Sequence, residues 1–187
     1  MGIFLKDMSL EGKTALITGA TKGLGRGAAE AIAEAGGNII AIGRNQTELN
    51  SLGKKIKKLK VNYTSFNCDV NNYNKIKNFI TNLKKLDILV NNAGTNIPEN
   101  FLNVKKTSLE TLLNVNTKAV FNIAQLCANQ IIKLKRKQGS IINISSIFGL
   151  VAGQKRTVYS MTKFGVEGLT KGMALDLAKY NIRVNSV

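Results

Sequence analysis

Short apolar runs alternate with longer amphipathic stretches along this chain of 187 residues. Lys13–Thr18, Asn38–Gly43, Tyr63–Cys68, Asp87–Asn91 and Ser140–Ser145 have the length and apolar density of buried strands, and Ile182–Val187 starts a sixth. Between them the spacing predicts helices over Gly23–Ala35, over Tyr73–Lys84 and over Val158–Lys179. Asn45-x-x-Glu48 and Thr107-Ser108-Leu109-Glu110 have the form of capping boxes opening two further helices. This rhythm predicts an α/β fold: one domain over residues 1–187 with a doubly wound parallel sheet, order 3-2-1-4-5-6, and helices on both faces. A ligand crevice is expected at the carboxyl ends of strands one and four, where the winding reverses. In the long helix after Thr107, Leu109, Leu112, Leu113, Val120, Ile123, Cys127 and Ile131 trace an apolar stripe, and Asn116 falls inside it. A buried amide needs hydrogen-bond partners or a wet site to line.

The formal net charge is +16. Such an excess suits a nucleic acid or an anionic membrane. The runs Lys54–Lys58 and Lys133–Lys137, however, fall at the ends of predicted helices, and neither interleaves aromatics for base stacking. Heavy use of Lys, Asn and Ile reads as compositional drift, so no nucleic-acid or membrane partner is expected. No apolar run approaches the ~20 residues that span a bilayer. The apolar stretch in Met1–Asp7 is too short for a signal peptide, and Lys6 stands where a myristoylation signal needs Ser or Thr. Cys68 and Cys127 lack metal or redox spacing, so the expectation is a reducing cytoplasm and no metal site.

Histidine is absent, which excludes Ser-His-Asp and Cys-His mechanisms. The remaining candidate for proton chemistry is Tyr159-Ser-Met-Thr-Lys163. A lysine four residues beyond a tyrosine lies one helical turn away on the same face, and its ammonium stabilises the phenolate. The plain alternative is a core tyrosine with a solvated lysine.

A second candidate is the turn Thr18-Gly19-Ala20-Thr21-Lys22-Gly23-Leu24-Gly25, between the first strand and the first helix. Its glycines permit positive φ and close approach, and the helix start offers free N–H groups to a pyrophosphate. The spacing is neither that of a Walker loop nor G-x-G-x-x-G. At the end of strand two, where an acidic residue would hold a ribose 2′-hydroxyl, stand Gly43 and Arg44. Arg44, with Lys22, suits a 2′-phosphate, which favours NADP(H) over NAD(H).

Thr18-Gly19-x-x-x-Gly23-x-Gly25, Asn91-Asn92-Ala93-Gly94, a serine after strand five and Tyr159-x-x-x-Lys163 together resemble the short-chain dehydrogenase/reductase family over essentially the whole chain. The resemblance implies a Rossmann-like fold and an oxidoreductase that moves a hydride between nicotinamide and a carbonyl or secondary alcohol. It implies Tyr159 as acid/base, Lys163 as its partner and a holder of the nicotinamide ribose, and Asn116 as part of a proton relay. The family's serine lies thirteen residues before the tyrosine, which selects Ser146 over Ser145. Thr18, Gly19, Thr21, Lys22, Gly23, Leu24, Gly25, Arg44, Asp69, Val70, Asn91, Ala93 and Gly94 match cofactor-binding positions, with Asp69 and Val70 beside the adenine.

Family members continue beyond the sixth strand, so a carboxyl-terminally incomplete chain, and a homo-oligomer in full-length form, are expected. The overall look is closest to gluconate-type sugar-acid dehydrogenases and to 3-oxoacyl-(acyl-carrier-protein) reductases. Gln154, Lys155 and Arg156, between the serine and the tyrosine, suit an anionic small-molecule substrate. A non-catalytic NADP(H)-binding domain is the rival reading.

Overall fold

The computed structural model describes residues 8–187, so the reading of the amino terminus over residues 1–7 lies outside the described residues. Six parallel strands form one sheet: β1 (Thr14–Thr18), β2 (Asn38–Gly43), β3 (Tyr63–Asn67), β4 (Ile88–Asn91), β5 (Gly139–Asn143) and β6 (Ile182–Ser186). Their order is β3-β2-β1-β4-β5-β6, as the sequence predicts. The connecting helices are α1 (Gly23–Glu34), α2 (Gln46–Lys57), α3 (Tyr73–Thr81), α4 (Lys106–Leu113), α5 (Ala119–Lys133) and α6 (Thr157–Leu177).

Alternation along the strands divides the core between the two faces of the sheet. Ala15, Ile17, Ile39 and Ala41 meet Ala29 and Ala33 of α1 and Leu49, Leu52 and Ile56 of α2. Leu16, Ile40, Ile42, Leu89 and Ile141 meet Ile76 and Ile80 of α3 and Ile123, Cys127 and Ile131 of α5. Because β1 and β2 are buried on both faces, they read in the sequence as unbroken apolar runs.

Two predictions about the helices need correction. Thr107 does not cap α4: the helix begins at Lys106 with Lys105 at its N-cap, and neither uses its side chain. The loop residue Glu99 takes that role, accepting the Lys105 N–H at 3.3 Å and the Ser108 hydroxyl at 3.1 Å. The predicted long helix runs unbroken over 106–133, but a π-helical turn over Asn114–Lys118 interrupts its α-helical hydrogen bonding between α4 and α5. Such turns carry one extra residue and often mark functional positions. Asn45 does cap α2, accepting the Glu48 N–H at 3.1 Å, while the Glu48 carboxylate pairs with Arg26 of α1 instead of completing the box.

The basic runs have structural work at the helix ends. Lys55 pairs with Glu30 at 2.6 Å, and Arg136 pairs at 2.6 Å with Asp87, which is only 3% exposed. Asp87 also accepts the Thr14 N–H at 2.9 Å, pinning the start of β1 to the start of β4. On α6, Met161, Phe164 and Leu175 are exposed, and Gly165, Gly168 and Gly172 have open space beside them.

Candidate active site

The carboxyl ends of β1 and β4 face each other across the reversal of winding, and Asn92 joins them. Its backbone N–H and that of Ala93 both donate to Thr18 Oγ1 at 3.0 Å, while its amide donates to the carbonyls of Thr18 and Gly19 at 3.0 and 3.2 Å. Gly19 has φ +65°, and a Cβ there would fall 2.9 Å from Asn92 Nδ2. A Cβ on Gly25 would overlap both Asn92 Nδ2 and Gly19 O, so the turn closes only with glycine at that position. Gly23, at φ +54°, faces open space.

Helix α1 starts directly after this turn. Its N-cap, Lys22, is extended and makes no side-chain cap, and no acidic residue occupies the first turn. The N–H groups and the positive end of the dipole are thus left for an anion. Lys22 and Leu24 are exposed beside them, and Thr21 packs under Gly43, where a Cβ would come within 2.5 Å of Thr21 Cγ2. At the next strand end the Arg44 side chain is 80% exposed and lies 3.5 Å from Asp69. Val70 packs into the core. Asn91 turns its amide inward, donating to Val120 O and to Asn143 Oδ1 at 3.2 and 3.1 Å, so its side chain is structural.

The other half of the site is built on α6. Tyr159 is half-buried, and Lys163 is 6% exposed with Nζ 5.7 Å from the Tyr159 ring centroid. Lys163 Nζ donates to the carbonyl of Ile144, just past β5, at 2.8 Å. Burial pushes Lys163 below the usual lysine range, and the Glu167 carboxylate opposes that shift. Ser146 opens the short turn Ile147–Gly149 and accepts the Phe148 N–H at 3.2 Å. The Phe148 ring then meets the Tyr159 ring edge-on, with centroids 6.1 Å apart.

The π-helical turn aims Asn116 out of the apolar stripe toward the same cleft. Asn116 Oδ1 accepts the Thr95 N–H at 2.9 Å, and Nδ2 donates to Thr95 O at 2.8 Å and to Thr162 Oγ1 at 3.2 Å. Thr162 donates in turn to the Tyr159 carbonyl at 2.7 Å. Gly94 lies between the groups, its absent Cβ 3.4 Å from Asn116 Oδ1 and 3.8 Å from Lys163 Nζ. Asn116, Ser146, Tyr159 and Lys163 are therefore tied into one region by α6. Sequence reasoning missed Asn92 and Thr162 as site builders. The Asn91–Gly94 motif contains the signal for the first, and nothing local marks the second.

A doubly wound sheet with a glycine turn and an uncapped helix start at its reversal defines a Rossmann-like protein. The short chain dehydrogenase family description matches residues 13–187, and the chain belongs to that family. It is 36% identical over 184 residues to the 3-oxoacyl-(acyl-carrier-protein) reductase FabG of Thermotoga maritima, covering 96% of this chain and 74% of the relative. It superposes on a gluconate 5-dehydrogenase from Burkholderia cenocepacia in complex with NADP and tartrate with a TM-score of 0.91, at 33% identity, covering 98% of this chain and 72% of that one. For carveol dehydrogenase from Mycobacterium avium in complex with NAD the TM-score is 0.89, at 27% identity, with coverages of 95% and 70%. The chain is thus a short-chain dehydrogenase/reductase, an oxidoreductase family whose members act on alcohol and carbonyl groups and bind NAD or NADP.

Proposed function

We propose that the chain is an NADP(H)-dependent oxidoreductase of a carbonyl or secondary alcohol, with Tyr159 as its acid/base. The observation that carries this reading is the buried Lys163 ammonium, one turn from a half-buried Tyr159 and held in place by the Ile144 carbonyl. When bound, the nicotinamide supplies or takes up the hydride. Tyr159 moves the proton at the substrate oxygen, and Ser146 donates a hydrogen bond to that oxygen. Lys163 stabilises the phenolate, and Asn116 fixes the Thr95 segment and, through Thr162, the backbone of Tyr159. The residues present fit the dinucleotide. The uncapped start of α1 and the glycines at 19, 23 and 25 would receive the pyrophosphate, Arg44 and Lys22 would receive a 2′-phosphate, and the Asp69–Val70 and Asn91–Gly94 segments would hold the adenosine.

Substrate choice is proposed as a small anionic hydroxy or oxo acid, supported by exposed Gln154 and Lys155 and half-buried Arg156 ahead of Tyr159. The 36% identity to a 3-oxoacyl-(acyl-carrier-protein) reductase favours an acyl thioester as the second reading. The exposed Met161, Phe164 and Leu175 beside open glycines on α6 support a homo-oligomer, and the two free buried cysteines support a reducing, cytoplasmic setting.

The test is a NADPH- and NADH-linked assay over sugar acids and 3-oxoacyl thioesters, with Tyr159→Phe alongside. Turnover is expected to fall by at least about 10²-fold in the variant while NADPH affinity, read by fluorescence, is retained. Unchanged turnover in Tyr159→Phe would remove Tyr159 from the chemistry.

A further inference from the structure

Glu167 stands on α6 one turn beyond Lys163 and two turns beyond Tyr159, so the three side chains share a face. Its Oε2 accepts the hydroxyl of Ser186, the last residue of β6, at 2.7 Å. Ser145, immediately before Ser146, has a buried hydroxyl oxygen that makes no hydrogen bond as oriented, an unusual state that calls for a partner. Gly149 brings the two together: a Cβ there would fall 2.7 Å from Ser145 Oγ and 3.3 Å from Glu167 Cγ. The two side chains thus flank the same glycine, and we assign the Glu167 carboxylate as the acceptor for Ser145. The Ser145 N–H already donates to Val187 O at 2.7 Å.

We infer that Glu167 is a positioning residue of the site, clamping the Ser145–Ser146 loop and the end of β6 to α6 and placing a carboxylate one turn from the Lys163 ammonium. This rests on the reading of Tyr159 and Lys163 given above. The Ser145 hydroxyl, with help from Ser186, Lys171 and Lys163, holds Glu167 below the usual carboxylate range against the effect of burial, so it is charged at neutral pH. Its charge raises Lys163, countering the burial that lowers it. The remaining groups that face Lys163 carry no fixed charge. They are the Tyr159 phenol on α6, the Ile144 carbonyl beyond β5, Gly94 beyond β4 and Asn116 of the π-helical turn. Among the described residues no ion pair includes Lys163. Glu167 therefore acts through the field across one helical turn.

The experiment is an NMR titration of the chain labelled with ¹³Cε-lysine, the Lys163 resonance being assigned by its loss in Lys163→Arg. Glu167→Gln keeps an acceptor for Ser186 and removes the charge, and is expected to move the Lys163 midpoint to lower pH. Ser186→Ala removes the tether and keeps the charge, and is expected to leave the midpoint in place. Superimposable titrations of Glu167→Gln and the wild type would overturn the inference, as would an equal displacement in Ser186→Ala. Should Glu167→Gln not fold, Glu167→Leu, similar in bulk, provides the uncharged comparison. The midpoint is read without turnover, so its result stands apart from that of Tyr159→Phe.

Discussion

At the residue scale, each proposed site group is defined by what its polar atoms are left to do. Among the described residues Arg44 is committed only to a long contact with Asp69, 3.5 Å away in solvent, an arrangement worth little by itself. A 2′-phosphate offers the guanidinium a better partner. Arg44→Ala is therefore expected to weaken NADPH binding about 10- to 100-fold, the equivalent of ~1.5–3 kcal/mol for a charge-assisted hydrogen bond, with NADH binding unchanged. Parallel fluorescence titrations with the two cofactors check it, and equal losses for both would place Arg44 outside the 2′ site. Asn116 was conspicuous in the sequence because an amide interrupts an apolar stripe, and the structure supplies its partners at Thr95 and Thr162. Glu167, Asn92 and Thr162 were not conspicuous. Their partners lie on other elements or across a helical turn, and nothing in their local sequence departs from an ordinary polar position.

At the scale of elements, β1 and β2 were legible because burial on both faces leaves apolar runs that no amphipathic helix produces, and β6 by its alternation of buried and exposed positions. The π-helical turn was not, because Leu113 and Val120 on either side of it are seven residues apart, a spacing that an uninterrupted α-helix also places on one face. The capping box at Thr107 misled for a different reason: the helix starts earlier, at Lys106, and Glu99, eight residues before Thr107, accepts the Lys105 N–H at its entry. The glycine turn was legible by spacing, but which of its glycines is irreplaceable depends on Asn92. Gly25→Ala would drive a methyl into Asn92 and Gly19 O, and is expected to cost about 1–3 kcal/mol. Gly27, two residues on along α1, has nothing within 4 Å of an added Cβ, so Gly27→Ala is expected to stabilise by about 0.5–1 kcal/mol. Chemical denaturation of the pair measures both, and losses of similar size would contradict the steric account.

For the whole molecule, the charge of +16 is partly spent on architecture. Arg136, inside one of the basic runs, neutralises a buried Asp87 that also receives the Thr14 N–H. Arg136→Met leaves that carboxylate without its counter-ion. The expected loss is about 2 kcal/mol, below the ~3–5 range for fully buried pairs because Arg136 remains partly in solvent. Lys137→Met, at an exposed position in the same run, is the control expected to be neutral in the same denaturation experiment.

The Asn92 clamp divides labour across the sheet. The groups proposed to hold the dinucleotide phosphates lie on the β1–β2 side of it, and the side chains proposed to handle the proton belong to the elements after β4. The two halves meet along the β1–β4 pairing, which the hydrogen bonds of Asn92 to Thr18 and Gly19 close at its carboxyl end. A change of cofactor and a change of substrate can therefore be selected at separate positions without either undoing the other. The clamp is the position that both histories must preserve.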